Sequence, residues 1–150
     1  MSRRTKLAAL AAASAAASAA AVGLTASPAM AAQLATGNLT LNNVPVLGTI
    51  NCSSTLDGTK TSTAFTVTGA TATGCGATVT AQNLPWSGTF GPPATMYFAM
   101  KAAGCTYSGT LSGSTSAGPP RTITFTNQPV SGSGFPCFSG ITVSATYTFS

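Results

Sequence analysis

The sequence predicts an all-β fold, a single-domain antiparallel β-sandwich (immunoglobulin-like or related) with about seven to nine strands and two disulfides. Three observations carry that expectation. Apolar and polar residues alternate with a period of two, no window between residues 32 and 150 shows helical spacing, and glycine, proline and serine clusters break the chain at short intervals. A small barrel is the second arrangement that the same pattern allows.

Taken in order, the chain begins with an export signal. Arg3, Arg4 and Lys6 precede a long alanine-rich run, and Ala29-Met30-Ala31 supplies a small-x-small cleavage site. The expected division is therefore a signal peptide over 1–31 and one secreted domain over 32–150. The first strand candidates are Leu39 to Leu41 and Val44 to Ile50, and LDGTK at 56–60 reads as a turn. Phe65 and Val67 alternate with threonines, as does Val79. Met96 to Met100, Tyr107 to Leu111 and the pair Ile123 and Phe125 follow. Turn signals at GPP (91–93), SAGPP (116–120) and SGSGFP (131–136) separate them. The cleanest alternation is terminal. Ile141, Val143, Ala145, Tyr147 and Phe149 share one face, with threonine and serine on the other.

Charge narrows the function. The chain has six basic residues and one acidic residue, but three of the basic ones belong to the signal. What remains is Asp57 against Lys60, Lys101 and Arg121, which is no footprint for nucleic acid or an anionic membrane. Natural sheets guard their edges with charge, chiefly lysine. A chain so poor in charge admits self-association through an unguarded edge strand.

Catalysis is constrained by what is missing. There is no histidine, no glutamate and a single aspartate, so neither a Ser-His-Asp triad nor a carboxylate pair can be assembled. The sequence predicts a non-enzymatic protein with no metal and no cofactor. The four cysteines, Cys52, Cys75, Cys105 and Cys137, are even in number in an exported chain and are expected to form two disulfides. The sequential pairing, Cys52–Cys75 and Cys105–Cys137, is preferred because it needs no crossing of chain halves.

Five residues are candidates for contact. Trp86, the one tryptophan, follows Pro85 where a strand is expected to leave the sheet. It reads as a plug at the end of the sandwich first and as a ligand platform second, with Phe90 beside it. Phe135 and Phe138 flank Cys137 in GSGFPCFSG, where two rings so close to a Pro-Cys turn are hard to bury together. Arg121, after two prolines, suits the rigid basic loop of a secreted inhibitor. The expected role is a binding module at the cell surface or in the medium, its partner a protein or an envelope polysaccharide. An inhibitor of a foreign enzyme and a self-assembling surface protein are the alternatives.

ATVTAQNLPWSG (77–88), GCTYSGT (104–110) and SATYTFS (144–150) resemble elements of small secreted actinobacterial proteins with paired cysteines, a Leu-Pro-Trp element and a final "ATYTF" strand. That resemblance implies an extracellular compartment and a β-fold. It implies no activity.

Overall fold

The computed structural model describes residues 31–150, so the expected signal peptide falls almost entirely outside the described residues. Nine strands follow one another: β1 (Gln33–Val44), β2 (Gly48–Lys60), β3 (Ala64–Thr73), β4 (Val79–Ala81), β5 (Trp86–Thr89), β6 (Ala94–Ala102), β7 (Cys105–Thr115), β8 (Arg121–Ser133) and β9 (Ile141–Phe149). One short 3₁₀ turn, Cys137–Ser139, precedes β9.

All pairings are antiparallel, and each runs between sequence neighbours except β1–β9, which closes the sheet, and β3–β5 and β4–β6. β1 pairs with β2 on one side and with β9 on the other, from Ala35 opposite Phe149 to Asn42 opposite Thr142. β4 and β5 both lie between β3 and β6, β4 toward one end and β5 toward the other. They are two halves of one interrupted strand. The result is a closed up-and-down barrel of eight staves.

The expected all-β architecture and both expected disulfides are present, but the sandwich is corrected to a barrel. Alternation fixes which side chains of a strand face inward. It leaves open whether the sheet splits into two layers or curls until its first and last strands meet. Two local readings also change. Val44 to Ile50 is not one strand but the end of β1, a hairpin turn over 45–47 and the start of β2, and Asp57-Gly58 lies inside β2 against a bulge at Thr68 of β3 rather than forming a turn. Gly58 sits at the register shift, where a Cβ would collide with the carbonyl of Thr66.

The inward faces form one apolar core. Leu39, Leu41, Leu56, Met96, Phe98, Met100, Leu111, Ile123, Phe125 and Val143 are all nearly or fully buried. Eight staves leave an interior that side chains can fill. The wet faces carry Thr, Ser and Asn, the reverse of a membrane-spanning barrel, whose apolar band faces outward. Closure also explains the shortage of charge. Every stave has a paired neighbour on both sides, so the sheet has no outermost strand of the kind that charge usually guards. The widest gap in the ladder lies between β7 and β8, where Gln128 bridges with its side chain: Oε1 accepts from the Ser112 N–H at 3.0 Å.

Candidate functional site

Up-and-down connectivity sorts the loops into two ends. At one end lie the connections 61–63, 90–93 and 116–120, together with Ser150. At the other lie 45–47, 74–78, 103–104 and 134–140.

The first end is closed by aromatic packing. The rings of Phe65, Phe90 and Phe149 meet with centroids 4.9 to 5.0 Å apart, in tilted and edge-on geometry. Phe65 lies across from Gly88, and only a glycine leaves room for its ring there. The guanidinium of Arg121 covers Phe90 at 5.0 Å from the ring centre and donates to the Ser62 carbonyl at 2.6 Å. Lys60 Nζ donates to the Ser150 carbonyl. A cleft of about 630 Å³ remains between Lys60, Pro119, Pro120 and Arg121. Arg121 thus folds back on its own barrel, whereas the reactive residue of an inhibitor loop would project from it.

Trp86 and Phe90 are both inside. Trp86 is fully buried, stacks at 5.6 Å from Phe98, and donates its Nε1–H to the Gln82 carbonyl at 2.7 Å. That hydrogen bond spans the break between β4 and β5, where Pro85 lacks a ladder donor. The tryptophan therefore stands in the barrel wall, at the interruption of a stave, rather than at an end. It offers no surface to a ligand.

The second end is different in kind. Both disulfides belong to it: Cys52–Cys75 ties β2 to the 74–78 loop, and Cys105–Cys137 ties the start of β7 to the turn before β9. Four of the five large apolar residues exposed on the described chain also belong to it: Val46 (102% exposed), Phe135 (88%), Phe138 (70%) and Leu47 (43%). The fifth, Leu84, sits in the β4–β5 break. Phe135 and Phe138 face each other with centroids 6.5 Å apart. Asn43 and Phe138 line a common concavity, so the 45–47 hairpin stands beside the aromatic loop.

Val46 is unusual in conformation as well as exposure. The Leu47 N–H closes a turn onto the Val44 carbonyl at 3.2 Å, with Pro45 second and Val46 third. Val46 has φ +70°, a left-handed position that such turns normally give to glycine or asparagine. A β-branched residue there is strained by about 1–2 kcal/mol. Leu47 and Val46 went unseen as contact residues because the segment reads as a strand. Pro45 and Gly48 were the available signals of a turn.

The remaining ionisable groups are sparse. Tyr147 is fully buried and its phenol is pushed up to about 12 by desolvation, while its bond to the Ser54 hydroxyl at 3.0 Å acts in the opposite direction. Burial also raises Tyr107, whose hydroxyl has no partner. Both phenols stay protonated near neutrality. Among the described residues there is no free cysteine and no group of three or more His, Cys, Asp or Glu side chains able to hold a metal.

Residues 1–150 match the family model described as alkane oxidation protein activator PraA/PraB-like. The chain belongs to this family. Searches of curated proteins and of solved structures returned no match. For this PraA/PraB-like chain the description points to an activating, accessory role. Its two disulfides are of the kind that persist in oxidising surroundings.

Proposed function

We propose that this PraA/PraB-like protein is an exported, non-catalytic accessory factor that promotes alkane oxidation by binding through the disulfide-pinned end of its barrel. The observation that carries the reading is the concentration of exposed apolar side chains on that one end, held by two covalent links. Exposed apolar side chains gathered at one end of a fold mark interaction sites. The family description supplies the process that is served. The Arg/Lys/Ala-rich leader and the disulfides support export. The scarcity of catalytic residue types supports action without chemistry.

The test is complementation. Alkane-dependent oxygen uptake is measured in cells lacking the gene, with purified disulfide-bonded protein added. Wild type restores uptake and does not consume alkane by itself. The Phe135→Ser/Phe138→Ser variant, folded but altered at the tip, restores much less. Equal restoration by both proteins refutes the assignment of function to this end.

A further inference from the structure

We infer that the sealed end of the barrel carries a binding site for an amphiphilic monocarboxylate, whose carboxylate is held by Arg121 and whose apolar body lies against Phe90, Phe149 and the Pro119-Pro120 segment. The site lies opposite the disulfide-pinned end and does not depend on the functional reading above.

Strand register builds the site. Along β8, Ile123 and Phe125 face the core, so Arg121 takes the terminal inward-facing position. Lys60 takes the equivalent position on β2, beyond Leu56 and Gly58. Arg121 pairs with Phe149 and Lys60 with Phe65, so each cation stands beside a ring of the aromatic plug. The cleft of about 630 Å³ opens among these groups, with Pro119 and Pro120 in its wall. Small-molecule sites have volumes of roughly 300–1,000 Å³ and favour the mouths of barrels.

Electrostatics selects the head of the ligand. The Arg121 guanidinium gives one Nη1 hydrogen to the Ser62 carbonyl and its face to Phe90, contacts that fix the group without neutralising it. Its remaining N–H groups keep the planar fork that matches a carboxylate. Asp57, the one carboxylate side chain of the chain, lies beside Gly69 and lines no part of the cleft. Sealing alone does not call for a cation, since an apolar side chain at this position would cover Phe90 as well.

The lining selects the body. Phe90, Phe149, Pro119 and Pro120 offer apolar surface. Thr61 and Ser150 spend their hydroxyls on the backbone of Ala64 and Gln33, which leaves few groups for a sugar. The loop is also formed in advance. Two prolines fix their own φ, and Ser116 and Thr122 tie its base by hydrogen bonds of 2.9 and 3.0 Å. Little ordering is left for a ligand to impose.

The experiment is a nuclear magnetic resonance titration of the isotope-labelled, disulfide-bonded protein with octanoate below its micelle concentration. Parallel arms use acetate, which lacks the body, and octylammonium, which inverts the charge. Wild type binds octanoate saturably, with shifts at the amides of Ser62, Phe90, Gly118 and Arg121 and none over 45–47 or 134–140. Acetate and octylammonium bind at least roughly tenfold more weakly, and Arg121→Gln weakens octanoate by a similar factor. Phe135→Ser/Phe138→Ser leaves octanoate binding unchanged. Thermal melts verify that the variants fold, and the shifts mapped on wild type decide the matter if Arg121→Gln does not.

No saturable binding of octanoate overturns the inference. Equal affinity in Arg121→Gln, or octylammonium bound as tightly as octanoate, removes the ionic head from the site and overturns it too. Shifts at the loops of the pinned end in place of the sealed end do the same.

Discussion

The two ends of the barrel are built by opposite means. One is sealed from within, by three phenylalanine rings and an arginine that leans back over them. The other is fixed from without, by two disulfides that hold loops whose apolar side chains stay in water. A loop that must present apolar surface cannot be ordered by burying it. Covalent links supply the order that packing does not. The difference teaches where each kind of mutation should be felt: in stability at the sealed end, in contact at the pinned end.

The largest expected effect tests the sealed end. Phe149→Ala lowers stability by about 3–5 kcal/mol, the usual loss for a buried aromatic. Stimulation of alkane oxidation by the folded fraction is unchanged, as chemical denaturation and the oxygen-uptake assay will show. Trp86→Ala, which also opens the wall at the β4–β5 break, should lose a similar amount; a melt matching wild type would mean its burial and hydrogen bond count for nothing.

Next comes the pinned end. Cys105→Ser/Cys137→Ser costs about 3 kcal/mol by freeing the chain in the unfolded state. Unlike Phe149→Ala it also weakens stimulation of alkane oxidation, because the aromatic loop loses its tie. If stimulation persists while stability falls, the disulfide serves the fold alone.

Alkali probes the interior between the ends. The phenol of Tyr147 titrates near 12 in the fold against about 10 when unfolded. Between those values the unfolded chain has lost a proton that the native one keeps, so stability is full below about pH 10 and falls as pH rises toward 12. The loss is roughly 2–3 kcal/mol from this residue, and Tyr107 adds to it in the same direction. Denaturation midpoints against pH give the measure. Tyr147→Phe removes its share of the slope.

The smallest effects separate the ends most cleanly. Arg121→Ala costs up to about 1 kcal/mol through the lost cation–ring contact and leaves stimulation of alkane oxidation intact. Val46→Asn should do the reverse, raising stability by up to about 1 kcal/mol as strain is relieved and lowering stimulation of alkane oxidation. A Val46→Asn protein no more stable than wild type would show that the turn bears no strain worth the name.

Much of this was legible in the residues, and the limit has a physical origin. Alternation from Ile141 to Phe149 specifies an inward and an outward face, and the structure follows it residue by residue. The cysteine pairing followed from chain order, since up-and-down strands bring successive segments together. Closure was not legible, because it depends on β1 meeting β9, a pairing across the whole domain that neither strand signals locally. Gly58 read as a turn because a turn and a close approach to a bulged partner strand demand the same residue. Phe135 and Phe138 could be picked out beside Pro136 and Cys137. Val46 could not, since a valine between apolar neighbours looks like a strand until its φ is known.

The closed barrel has one further consequence, for the medium it works in. Its sheet closes on itself without an outermost strand, and its described surface carries four charged side chains. Salt screens charges over a Debye length of about 8–10 Å at moderate ionic strength. Here there is little to screen. Fold and solubility should therefore vary little from dilute water to brine.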